Sequence, residues 1–134
     1  MRFPYTPPRP GVGPLDYLPF LPIRLVNGQT HVDERALLDT GATVNVMPYD
    51  LGVRLGLDWD TLHTMVPLAG NLARAPAKAV SVVGLVGNYP PVPLTFAWSQ
   101  LPGAPLILGQ FNFLFAFDAC FYRSRAEFEV RPRP

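Results

Sequence analysis

Over much of the chain, apolar and polar positions alternate with a period of two, which predicts strands rather than helices. From Leu18, the runs "LPFLPIRLV" and "THVDERALL" flank "NGQ". Asn27 and Gly28 both tolerate positive φ, which makes this a strong short-range hairpin signal. The second strand leads straight into Asp39-Thr40-Gly41, and a shorter strand is expected around Thr43–Val46. "TMVPLAGNLARAP" alternates loosely about Ala69-Gly70-Asn71, the expected tip of a second hairpin. "AVSVVGLVG" and "VPLTFAWS", separated by "NYPP", predict two more strands, with Pro91 and Pro93 marking an edge position. "APLILG" reads as a short, continuously apolar strand, and "AEFEVR" as a closing strand with Phe128 and Val130 on one face.

Two stretches leave this rhythm. Pro48 opens a helix, with Asp50 in its first turn and Arg54 near its last, each favourable to the helix dipole. Leu51 and Leu55 form its apolar i,i+4 pair, Gly56 stops it, and Gly52 weakens it slightly. "QFNFLFAF" predicts a helical turn or two packed on the core, so that Phe111, Phe113, Phe115 and Phe117 read as core, any excess serving a subunit contact. Residues 1–17, rich in Pro and Gly, are expected to form an extended arm without packing of its own, ahead of a domain spanning 18–134. "PPRP" in that arm also has the form of a ligand for an aromatic-lined groove.

Composition sharpens this picture. The 134 residues make about one domain, and 49% hydrophobic content supplies a modest core. Seventeen Pro and 11 Gly suit a loop-rich, mainly β protein. Eleven Lys+Arg against ten Asp+Glu leave a net charge of +1, which argues against nucleic acid or an anionic membrane as partner. No apolar run approaches the roughly 18 residues of a membrane span, so a soluble, cytoplasmic protein is expected. Cys120 stands alone, without a disulfide or metal framework, and reads as a small buried apolar residue. His31 and His63 are far apart, Asp58, Asp60 and Asp118 read as solvated charges, and neither a metal site nor a cofactor is expected.

The unusual stretch is "ALLDTGATVNVMP", where Asp39 lies in an apolar or small-residue run with no cation closer than Arg35. A buried, unpaired carboxylate is costly. Asp39 is therefore either a turn residue between strands or a reactive carboxyl. A carboxylate can act as general base to a water and then return the proton, provided a second carboxyl nearby shares that proton. Gly41 permits a tight turn and lets its N–H approach the carboxylate. No second Asp-Thr-Gly appears in the chain.

The run "LLDTGATVNVMP", followed downstream by "LILGQFNFL", resembles the retropepsin-like aspartic peptidases, and "MPYDLGVRLGL" is similar to the helix after the catalytic turn in stand-alone bacterial members. The likeness extends from Leu18 to Val130. It implies a mainly β, single-domain closed barrel with one short helix after the catalytic turn and another near the C-terminus. It further implies a homodimer that cleaves polypeptides, each subunit contributing one Asp. Asp39 would be the catalytic residue, with Thr40 and Gly41 supporting the loop. Gly41, Ala42, Thr43, Gly70 and Asn71 would meet the substrate, Gly70 near the tip of a flap. Ile107, Leu108 and Gly109 would pack beneath the site. Two features depart from viral members: Gln110 and Thr43 replace an Arg–acid pair, and "LAGNLARAPA" has a single tip glycine. A non-catalytic dimerisation or peptide-binding module with the same fold is the alternative.

Overall fold

The computed structural model describes residues 1–134. Strands β2 (Phe20–Asn27) and β3 (Thr30–Leu38) form the expected hairpin, with Asn27 opposite Thr30 and Gly28 at φ +60°. Leu21, Ile23 and Leu25 point inward and are fully or almost fully buried, as period-two alternation requires. Between them, Arg24 faces solvent and clasps Asp33 across the hairpin through two hydrogen bonds of 2.7 and 3.0 Å.

Four more strands complete a closed barrel: β4 (Asn45–Pro48), β5 (Ala77–Leu85), β6 (Val92–Ser99) and β7 (Ile107–Leu108). Their order is β2-β3-β7-β4-β6-β5, closed by β5 against β2. β4 joins β6 only from Phe96 onward, so no strand pairs with the Val92–Thr95 half of β6 on that side. Pro93 lies in that half, where its missing N–H interrupts no ladder.

Helix α1 (Tyr49–Arg54) follows β4, with Pro48 as its N-cap, one position earlier than expected. It buries Leu51 and, just past its end, Leu55. Gly52 has a steric role that helix propensity does not reveal. A Cβ there would lie 2.2 Å from Trp98 Cε2, so its absence lets the helix rest on the indole. Trp98 Nε1 donates to the Tyr49 carbonyl (3.0 Å), and the two rings stack at 5.2 Å.

The chain ends build a second, three-stranded sheet in the order β1-β9-β8, from β1 (Arg2–Pro4), β8 (Phe117–Tyr122) and β9 (Glu127–Pro132). Helix α2 (Phe113–Ala116) precedes β8. The N-terminal arm therefore does not lack packing. Phe3 stacks on Phe128, Tyr5 is buried, and Arg35 and Arg123 hydrogen-bond to arm carbonyls. The aromatic run divides rather than forming one core: Phe113 and Phe117 are buried, while Phe111 and Phe115 are exposed and meet edge to face. Cys120 is exposed on β8, because that edge strand leaves its outer face uncovered. No helix is long and apolar enough to cross a membrane.

Candidate active site

The barrel places Asp39 at its mouth. β3 and β7 run parallel, Leu37 beside Ile107 and Leu38 beside Leu108, and the Asp39 amide continues that ladder by donating to the Leu108 carbonyl (3.0 Å). The chain then turns sharply, Ala42 N donating to the Asp39 carbonyl at 3.1 Å. Within the turn, Gly41 N donates to Asp39 Oδ1 at 2.9 Å, so the backbone itself orients the carboxyl. Beyond Gly109 the neighbouring segment holds the returning loop: Gln110 N donates to the Ala42 carbonyl and Phe111 N to that of Thr43, both at 2.9 Å. A Cβ on Gly109 would come within 2.6 and 2.7 Å of the Ala42 and Val44 carbonyl oxygens, so only glycine fits between β7 and the loop.

Asp39 opens into a cavity of about 250 Å³. Gly41, Ala42 and Thr43 line it from the loop, Val44, Val46 and Ile107 from the strands, and Leu68, Ala69 and Leu72 from above. Asp39 is the only carboxylate in this lining and has no ion-pair partner; apart from that group, the Thr43 side chain and the loop backbone, the site is apolar.

The segment expected to form a flap lies over this cavity, with a tip different from the hairpin expected. Its arms are joined by Val66 N to the Ala77 carbonyl (2.9 Å) and Ala79 N to the Thr64 carbonyl (2.8 Å). Between them the chain coils into a 3-10 turn over Gly70–Arg74 in place of a tight hairpin, Gly70 entering it at φ +61°. Gly70 and Asn71 are exposed and lie outside the cavity lining, and Asn71 instead accepts a hydrogen bond from Arg74 (3.2 Å). The flap thus presents leucines, not its glycine, to Asp39.

Ile107, Leu108 and Gly109 are buried behind the loop. Thr40 is exposed; its carbonyl accepts from Gln110 Nε2 at 2.8 Å, while its hydroxyl has no hydrogen-bond partner within the chain. Gln110 therefore braces the loop with a neutral amide where an Arg–acid pair is missing. Two further residues escaped sequence reasoning. Asn45 is completely buried, accepts from Gly109 N (2.8 Å) and donates to the Thr95 carbonyl (2.9 Å) and Asn112 Oδ1 (3.1 Å). Asn112 Oδ1 also accepts from Thr95 N at 3.0 Å. The available signal was a lone amide between valines in "TVNVM", where alternation would have allowed it to face solvent.

A carboxylate held by the Gly41 N–H at the edge of a largely apolar cavity is suited to acid–base work on a water or a carbonyl. The sequence pattern of the aspartyl protease family matches residues 22–109, more than half of the chain, and takes in the hairpin, the Asp39 loop, the flap and β7. No curated protein matches the chain. With that match over a closed six-stranded barrel carrying two short helices, the chain belongs to the aspartyl protease family and has the retropepsin-like fold.

Proposed function

We propose that the protein is an aspartic endopeptidase active as a symmetric homodimer, each subunit contributing Asp39. The observation that carries this reading is that Asp39 is the one carboxylate in its cavity. General acid–base hydrolysis with a shared proton needs two carboxyls in contact, and a two-fold axis beside the loop provides the second from an identical chain. The exposed Thr40 hydroxyl, unpartnered within its own chain, is available to the facing loop. One Asp39 would take a proton from water as that water attacks the peptide carbonyl, and the shared proton would pass to the departing amine. The substrate would lie extended beneath the flaps, contacting Gly41, Ala42 and Thr43, with apolar side chains preferred by a cavity lined with Val46, Leu72 and Ile107.

Asp39→Asn is expected to abolish cleavage of unfolded protein substrates while leaving the melting temperature and sedimentation of the dimer unchanged. Specific activity of the native protein should fall on dilution, tracking the dimer fraction measured at the same concentrations. Undiminished cleavage by the Asp39→Asn variant would remove the assignment. The alternative, a peptide-binding module without catalysis, draws on the flap leucines resting over Asp39. It predicts saturable binding of extended peptides with no cleavage even at concentrations where the dimer is complete.

A further inference from the structure

We propose that Asn45 is a positioning residue for Asp39, acting through one peptide unit; this rests on the catalytic role proposed above for Asp39. The Asn45 side chain reaches Gly109 N, and the amide of Asp39 reaches Leu108 O. These two atoms belong to the same peptide group, Leu108–Gly109. Peptide planarity makes its C=O and N–H a rigid, oppositely directed pair, so fixing one end fixes the other. Asn45 Oδ1 at 2.8 Å from Gly109 N and Leu108 O at 3.0 Å from Asp39 N form a continuous relay from a buried side chain to the backbone of the carboxylate-bearing residue. Hydrogen bonds in such a chain polarise one another, which strengthens the hold on Asp39 N.

The relay is shielded from solvent, since Asn45 is fully buried. The Ala42 and Val44 carbonyl oxygens close the space over Gly109, where even a methyl group would sit 2.6 Å from one of them. Nor can the amide turn over. Gly109 N only donates and the Thr95 carbonyl only accepts, so the oxygen of Asn45 must face Gly109 and its nitrogen must face Thr95. Asn112 completes the arrangement by accepting the second Nδ2 hydrogen and the Thr95 amide. The oxygen and both Nδ2 hydrogens of Asn45 are thereby engaged at the place where β4 and β6 part, and the Asp39 loop is tied to the half of β6 that β4 does not reach. An apolar residue at position 45 would fill the volume equally well but leave the peptide plane free to tilt.

The test separates aiming from mere stability. Asn45→Ser shortens the side chain out of reach of Gly109, whereas Asn112→Ser weakens the same network without touching the Leu108–Gly109 peptide. With Asn45→Ser, kcat is expected to fall by about 100-fold with KM unchanged, the signature of a misplaced reacting group. Hydrogen exchange should accelerate together at Gly109 N and Asp39 N, and remain unchanged at Val82 in the barrel wall. Asn112→Ser should lower the melting temperature but cost far less kcat than Asn45→Ser, because Asn45 Oδ1 still accepts from Gly109 N. Asn45→Asp, assayed in acid where a buried carboxyl is neutral, keeps the acceptor for Gly109 and should restore most of kcat. It also serves as the readout if the serine variant does not fold. The proposal is overturned if Asp39 protection stays native when that of Gly109 is lost, or if Asn112→Ser costs as much kcat as Asn45→Ser. It is equally overturned if Asn45→Asp folds but remains as impaired as the serine variant. Because the exchange arm needs no substrate, it decides the relay even if the native protein cleaves nothing.

Discussion

At the scale of single residues, chemistry and sterics pull in different directions, and the winner is set by distance. Ala is the better helix former than Gly by about 1 kcal/mol, which would favour Gly52→Ala in α1. Its methyl group, however, would lie 2.2 Å from Trp98 Cε2, within a ring that is fully buried. Overpacking of this kind costs about 1–3 kcal/mol, and here the obstacle is a fixed ring rather than a flexible chain end. Urea denaturation followed by Trp fluorescence should show Gly52→Ala less stable by about 2 kcal/mol. On the hairpin surface the magnitudes are smaller. The Arg24 guanidinium, hydrogen-bonded to Asp33, holds its carboxyl below the usual carboxylate range. A carboxyl depressed in the folded state stabilises it above the unfolded pKa, and that contribution disappears as pH falls through the folded value. Asp33→Asn should therefore flatten the acid limb of the stability curve, with only a slight loss at neutral pH because the pair is solvent-screened. Asp39 was legible in the sequence because a carboxylate in an apolar run is chemically out of place. Asn45 was not, since its importance lies in which peptide group it meets.

At the scale of elements, local signals and long-range packing divided the outcome. The β2–β3 hairpin and α1 could be read directly because their turns, caps and apolar pairs are all close in sequence. β8 was not recognised: "FDACFY" lies next to an aromatic helical turn, and its strand state comes from pairing with β9 across the 3-10 turn Arg123–Arg125 that follows. The segment expected to form a flap lies over the cavity but takes another form: its tip coils into a 3-10 turn over Gly70–Arg74 that brings Leu72 to the Asp39 cavity, an arrangement set by long-range packing rather than by the local sequence. Its base is anchored by Lys78, whose Nζ donates to the Trp59 carbonyl at 2.9 Å and lies 4.6 Å above that residue's ring. No backbone hydrogen bond ties residues 67–75 to the barrel. Limited proteolysis should consequently nick the chain first within that segment, and Lys78→Met should quicken the nick while leaving the global unfolding midpoint nearly in place.

At the scale of the whole molecule, the two chain ends are part of the fold. The N-terminal arm could not be read as a strand from its own residues: "RFPYTPPRP" carries no alternation, and only the C-terminal strand gives Arg2–Pro4 something to pair with. Phe3 against Phe128 and the buried Tyr5 join this sheet to the barrel core. Removing residues 1–6 strips the strand paired with Glu127–Glu129 and uncovers Phe128, and should lower stability by about 3 kcal/mol, visible as a reduced urea midpoint. The exposed Cys120, the only thiol in the chain, has a practical consequence for testing the proposed dimer. A single nitroxide attached there needs no background mutagenesis, and two identical subunits would carry exactly one spin pair. One dipolar distance would then report both whether two chains have associated and how far apart their outer sheets lie across the proposed axis.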